Sequence, residues 1–430
     1  MSDVCIVGVG MTPFRKHPTE TVKSLTAAAV SGALDDAGLS MSQVQAAWFS
    51  NTRQGVFEGQ HGIRGQVALR ACGFESIPIF NTDSACASSS SALYQAFTAV
   101  KAGLHDIVLV VGAEKMVFPE RRAEMFAAFQ GSWDVELADS HMAALLALGD
   151  KIPAPDGEEV GERSVFMDIY AAMARFHMAT FGTTQREIAA VAAKNHSHSR
   201  FNPNAQYQVP YSIEEVLGDK SIAWPLTRSM CAPMSDGAAA AVLVSSRVME
   251  SLALSRRAVH VRGIGASTGS PRQPEDVEAH LTRRAADRAY EMAGAGPEDI
   301  DVAELHDATA FAEILQSENC GFAAYGEGGR LAVTGQTALG GRLPVNVSGG
   351  LLSKGHPVAA TGLGQIHELV TQLRGEAGNR QVDHARMALA ENGGGFHGIE
   401  EAACVVTVLE AVSPRRPPVL PSSAGEVVST

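Results

Sequence analysis

Apolar residues come in short runs, each closed by glycine or a polar turn and followed by a longer, alanine-rich stretch. Val4-Cys5-Ile6-Val7-Gly8-Val9-Gly10 is such a run, and it predicts a buried strand. Leu25 to Ala37 then reads as a helix, Gly38-Leu39-Ser40 as a turn, and Val44 to Phe49 as a second strand. The same order returns from Val259. Val259-His260-Val261-Arg262-Gly263-Ile264-Gly265 again ends in Gly-x-Gly, and Leu281 to Ala293 again reads as a helix. The turn Gly296 to Asp301 and the strand-like Val302 to Leu305 complete the unit. Each half adds a further helix and strand: Ser88 to Lys101 with Ile107 to Gly112, and Ala360 to Arg374 with Arg386 to Ala390.

Strands alternating with helices predict an α/β protein with parallel or mixed sheets, built from two duplicated βαβαβ halves packed as a pseudodimer. A site is then expected where helix N-termini and strand C-termini of both halves converge. The boundaries follow as 1–257 for the first half and 258–412 for the second. The first half's last strand is expected at Ala238 to Ser245. Ahead of it, residues 118–224 are too many for a simple connection and predict an inserted lid or loop domain. A turn is expected at Pro155-Asp156-Gly157. The tail 413–430, with Pro-Arg-Arg-Pro-Pro and then small polar residues, is expected to be disordered.

Composition narrows the class. The 430 residues are 45% hydrophobic and 19% charged, which suits a globular chain with a large core. Lys+Arg 34 against Asp+Glu 47 gives a net charge of −13, without a basic tract, so nucleic acid and anionic membranes are not expected partners. No apolar run is long enough to span a bilayer. The six cysteines form no CxxC pair and no zinc-spaced cluster, so reduced thiols, no metal and a cytoplasmic location are expected.

Four segments carry candidate chemistry. Asn81-Thr82-Asp83-Ser84-Ala85-Cys86-Ala87-Ser88 sets a thiol among small residues ahead of a helix, where the dipole and free N–H groups favour a thiolate. A buried packing cysteine is the plain alternative for this run by itself. The others are Glu304-Leu305-His306-Asp307-Ala308-Thr309, the stretch Gly349 to Gly362 around Gly355-His356-Pro357, and Ala390-Glu391-Asn392-Gly393-Gly394-Gly395. Each has a bland reading: a hydrogen-bonded structural histidine, a loop, a tight glycine turn. Together with Cys86 they form a set.

On these residues the chain resembles the thiolase superfamily, and most of all its sterol-carrier-protein-type branch. The match runs to about residue 410. Cys86 fits the family's acylated nucleophile. Gly355-His356-Pro357 followed by Ala360-Thr361-Gly362 fits its signature, and His306-Asp307 fits the branch with His-Asp where ordinary thiolases carry Asn-Glu. Ser235-Asp236-Gly237-Ala238-Ala239-Ala240 fits the run before the first half's last strand. The resemblance implies a five-layered α-β-α-β-α fold, a homodimer or dimer of dimers, and a coenzyme A or acyl-carrier thioester as substrate with no permanently bound cofactor. Two departures stand out. Glu391 occupies the place of the second cysteine or histidine, and Thr309 stands where the family commonly has Phe.

The resemblance implies a division of labour. Cys86 is the nucleophile, His356 takes its proton, and His306 helps bind the thioester oxyanion. The N–H of Cys86 and one from Gly393, Gly394 or Gly395 form a second oxyanion hole. Asp307 and Thr309 are expected near the substrate. Glu391, partly desolvated, is expected to handle the α-proton of a second acyl group in a Claisen-type carbon–carbon step. Acyl transfer to oxygen or nitrogen, thioester hydrolysis, and a scaffold or aldolase working with a small zinc-ribbon and OB-fold partner are the competing readings.

Overall fold

The computed structural model describes residues 3–412 apart from 156–162, 253, 255 and 256, so the expected tail and most of the expected Pro155-Asp156-Gly157 turn lie outside the described residues. The first half contributes β1 (Val4–Met11), β2 (Ala46–Ser50), β3 (Ile79–Thr82), β4 (Ile107–Glu114), β5 (Ser221–Ala223), β6 (Leu226–Thr227) and β7 (Gly237–Ser245). The second contributes β8 (Val259–Thr268), β9 (Val302–Glu304), β10 (Met387–His397) and β11 (Glu400–Ala411). Nine strands join in the order β3-β2-β4-β7-β1-β8-β11-β10-β9, and β5 and β6 form a separate pair. The sheet is mixed: β2 runs parallel to β3 and β4, and β10 parallel to β9, while β1, β7, β8 and β11 pair antiparallel. The halves meet where β1 pairs β8, through Cys5 opposite His260 and Ile6 opposite Val259.

Side-chain alternation along the strands sorts the core into layers. Leu109 of β4 faces the Val22–Ala37 helix with Leu25 and Val30, whereas its neighbour Val110 faces the other way. There the helices Ser88–Lys101 and Thr361–Leu373 lie between the two halves, and Leu93, Phe97, Leu363 and Ile366 share one core with Val110, Val302 and Val405. Ala303 and Val406, each one residue on, pack against the Leu281–Ala293 helix instead. The result is the expected α-β-α-β-α succession.

The repeated Gly-x-Gly acquires a physical reason. A Cβ at Gly8 or Gly10 would collide with the backbone of the Val22–Ala37 helix at Ala33 and Ala29. One at Gly263 or Gly265 would collide with Ala289 and Ala285 of the Leu281–Ala293 helix. In both halves the first helix lies directly on the bare backbone of the first strand. Gly265→Ala is therefore expected to destabilise the fold by about 1–3 kcal/mol, as overpacking does, read by chemical denaturation. An unchanged midpoint would mean that the helix can lift off the strand at no cost.

The described residues between β4 and β7 form a series of helices and the β5–β6 pair. The long helices Val165–Phe181 and Gln185–Ser199 are not a detached lid, because Ile169, Ala171, Ile188 and Val191 share a core with Phe311 and Ile314 of the Ala310–Asn319 helix. No helix among the described residues is long and apolar enough to cross a membrane.

Candidate active site

Cys86 lies between the end of β3 and the helix Ser88–Lys101. The loop is tight. Ser88 Oγ accepts the Ser84 N–H at 2.9 Å and donates to the Ala85 carbonyl at 2.6 Å. Ala85 sits at φ 49°, a conformation a residue with a side chain adopts rarely. The sulfur thereby faces His356, with Nε2 at 3.3 Å.

Hydrogen bonding fixes the roles of both histidines. Thr361 Oγ1 donates to the Pro357 carbonyl at 3.1 Å, so it accepts from His356 Nδ1, 2.7 Å away. His356 therefore carries its proton on Nδ1 and turns an open lone pair at Nε2 toward the thiol. His306 is the opposite case. Asn392 accepts from Ser90 through Oδ1 at 2.8 Å and so donates through Nδ2 to His306 Nδ1 at 2.9 Å. That leaves the His306 proton on Nε2, as a donor. The ligand-type atoms of Cys86, His306 and His356 all lie within 4.8 Å of one another, the one such grouping among the described residues also spaced to hold a metal ion.

Burial sets the charge states. It lowers His306 to about 4 and holds His356 well below the usual imidazole range, with His306 and Arg53 adding to the effect on His356. Burial also pushes the Cys86 thiol up to about 11, opposed by Arg53 and by the N–H of Gly395, and aided by Glu114. This corrects the expectation of a thiolate favoured by a helix end. Cys86 precedes the first helical turn and is desolvated, so the resting pair is a neutral thiol beside a neutral imidazole.

The three glycines are not a turn. They lie within β10, which pairs with β11 through Gly393 opposite Cys404 and Gly394 opposite Ala403. A Cβ on Gly394 would strike the Ser84 carbonyl and the Ala87 N–H and stand 2.9 Å from the Cys86 nitrogen. The bare strand thus lets the Cys86 loop rest directly on the second half, and the Gly395 N–H reaches the sulfur.

These groups open on a cavity of about 620 Å³ lined by Cys86, His306, His356, Gly394 and Gly395. Four other expected residues do not line it. Asp307 is fully buried, and its carboxylate accepts from the N–H of Leu351 at 2.6 Å and from Asn195 Nδ2 at 2.8 Å, pinning one loop to the next. Thr309 caps the Ala310–Asn319 helix by accepting the Ala312 N–H. Glu391 stands behind His306, accepting its backbone N–H at 2.9 Å through Oε2 and the Cys404 thiol at 3.4 Å through Oε1. Burial raises Glu391 to about 8, as expected for a desolvated carboxyl, but the group faces the His306 backbone and not the cavity. Gly393 is likewise set back from the wall.

The remaining wall was not singled out from the sequence. Phe129, Phe166, Tyr170 and Phe396 give it aromatic faces, and Arg53 enters it, held by the Ala128 carbonyl at 2.7 Å and Ser132 Oγ at 2.6 Å. Exposed Lys16, Arg122 and Arg228 stand at the rim. Glu401 also lines the cavity, 2% exposed. Two adjacent acids in the apolar run Ile399-Glu400-Glu401-Ala402-Ala403-Cys404-Val405 were the available signal for it.

Comparison with known proteins agrees with the geometry. The family described as "Thiolase, N-terminal domain" matches residues 4–223, and "Thiolase C-terminal domain-like" matches 263–408. An acetyl-CoA acetyltransferase of Methanothermobacter thermautotrophicus is 35% identical over 399 residues, covering 93% of this chain and 98% of the relative. Sterol carrier protein 2 of Bos taurus is 36% identical over 397 residues, 90% of this chain and 69% of that protein. The benzoylsuccinyl-CoA thiolase subunit BbsB of Thauera aromatica is 31% identical over 396 residues, 91% of this chain and 94% of BbsB. Among solved structures, an Ltp2-ChsH2(DUF35) aldolase superposes with a TM-score of 0.75 at 24% identity, over 96% of this chain and 99% of that one, a likeness of fold.

Proposed function

The chain belongs to the thiolase family, and from that premise we propose that it is an acyltransferase that makes or breaks a carbon–carbon bond beside a thioester through an acyl group held on Cys86. The observation that carries this reading is the open Nε2 lone pair of His356, 3.3 Å from the Cys86 sulfur. Neutral His356 takes the thiol proton as the sulfur attacks the thioester carbon, and returns it to the departing thiolate. The His306 Nε2–H and the Gly395 N–H supply donors for the oxygen that becomes negative. Glu391 acts through His306: by accepting its backbone N–H it fixes the ring that Asn392 orients, a positioning role in place of the base role expected from the sequence.

The cavity supports a bulky acyl group. About 620 Å³ with aromatic walls is far more than an acetyl group fills, and lies within the range of sites for larger ligands. The rim cations Lys16, Arg122 and Arg228 suit the phosphates of a coenzyme A carrier. Intact-protein mass spectrometry after incubation with acetyl-, hexanoyl- and phenylpropionyl-CoA tests the proposal. The expected result is an acyl mass increment located on Cys86, greatest with the larger groups. No adduct from any of them, or the same adduct on Cys86→Ala, rejects the acyl-cysteine route.

A second reading adds a small partner subunit, favoured by BbsB being named as a subunit of its thiolase. Full turnover by the purified chain alone would remove that reading.

A further inference from the structure

With Glu391 turned to the His306 backbone, the carbon–carbon step needs another group to carry a proton, and the cavity wall holds one. Glu401 stands on β11 directly opposite Phe396 of β10. Its carboxylate is almost wholly buried, yet it is only half satisfied: Oε1 accepts from Gln316 Nε2 at 3.2 Å, and Oε2 has no hydrogen-bond partner among the described residues. A buried acceptor without a partner is uncommon and calls for an explanation. Glu401 lines the same cavity as Cys86 and His306. A Cβ on Gly393 would lie 3.2 Å from Glu401 Cγ and 3.6 Å from Glu391 Oε1, so both carboxylates border that glycine. Tyr170, also in the wall, is pushed well up by burial and by the charges of both Glu401 and Cys86.

The surroundings keep this carboxyl near neutrality. Burial and Glu400 raise it to about 7, while its own N–H and Arg272 work against them. Glu391 and Tyr170 face it from β10 and the Val165–Phe181 helix. His280 stands behind. Its Nδ1 accepts the Thr282 N–H at 3.2 Å, so its proton is on Nε2, 3.7 Å from Glu401 Oε2. At that separation it is not a hydrogen bond, and His280 Nε2 also lacks a hydrogen-bond partner among the described residues. A donor is thus held just out of reach of the free oxygen.

We propose that Glu401 is the acid–base group of the carbon–carbon step, an inference that rests on the acyl-Cys86 reading. In condensation its carboxylate takes the α-proton of the second thioester. The C–H electron pair becomes the enolate, which attacks the acyl carbon on Cys86. The carbon–sulfur bond then breaks, and the proton on Glu401 returns to the sulfur, leaving thiol and carboxylate as they began. In cleavage the same proton moves the other way. No oxidant or co-reactant is required.

The test separates the two half-reactions. Wild type, Glu401→Gln and Glu401→Asp are incubated in deuterated water with acetyl-CoA and phenylpropionyl-CoA. Deuterium at the α-carbon of the free thioesters and acylation of Cys86 are both read by mass spectrometry. Glu401→Gln is expected to lower exchange by about 10² to 10⁴, the usual contribution of a positioned acid–base group, and to leave acylation intact. Glu401→Asp is expected to recover part of the exchange. The ionised carboxylate is the active form, so wild-type exchange should rise as pH passes upward through about 7, a rise that Glu401→Gln should lack. Wild-type exchange rates in Glu401→Gln, no exchange in the wild type, or loss of acylation together with exchange in both variants would overturn the assignment. Exchange on a free thioester needs no acyl-enzyme, so failure of Cys86 to be acylated would reject the earlier reading separately.

Discussion

Cys86→Ala is expected to lose turnover by at least about 10⁴-fold, the scale seen when a covalent nucleophile is removed, and to yield no acyl-enzyme with any thioester. The fold should survive. The side chain is small, it sits at a cavity wall, and the loop is held by Ser88 and the bare Gly394 backbone, none of which involves the sulfur. Acyl-enzyme mass and steady-state rate, with a denaturation curve beside them, check this. A folded Cys86→Ala protein with more than a trace of wild-type turnover would move the nucleophile elsewhere. Cys231, the other thiol in the wall, would be the next to examine, although burial pushes it up to about 12.

His356→Ala is expected to slow acylation of Cys86 at neutral pH by about 10² to 10⁴, the loss of a positioned base. The direction of its pH dependence follows from the thiol. On the proposed route, wild-type acylation draws on neutral His356 and needs no free thiolate. Without the imidazole, only the thiolate fraction reacts. With the thiol raised to about 11, that fraction is small at neutral pH and grows about tenfold per pH unit as the pH rises toward that value. The variant should therefore recover steeply in base where the wild type stays nearly level. Single-turnover acylation across pH 7 to 10 measures both. A variant as flat as the wild type would mean that another group takes the thiol proton.

Local pattern and tertiary context contributed differently. The two Gly-x-Gly strands, the helices after them and the later strands were legible because buried strands and alanine-rich helices have opposite periodicities. The Leu281–Ala293 helix and the Ser88–Lys101 helix have the expected bounds. The Gly393-Gly394-Gly395 run was not legible as strand. Glycine signals a turn locally, and only its contact with the Cys86 loop explains why side chains are absent there.

The same division runs through the site. Cys86, His306 and His356 stood out because each sits in a short motif of unusual composition, and the structure brings all three to one cavity. Their residue types and loop positions were fixed by sequence alone. What only the tertiary structure decided was which nitrogen carries each proton, since the turn that brings Thr361 onto His356 and the packing of Asn392 against His306 set the tautomers. It also decided the thiol's protonation, because burial outweighs the helix end. It decided, finally, which carboxylates reach the cavity. Glu391 and Glu401 are ten residues apart on adjoining strands. Glu391 is turned to the His306 backbone and Glu401 stands in the wall, although both border Gly393, a placement that a sequence position does not carry until its neighbours across the sheet are known.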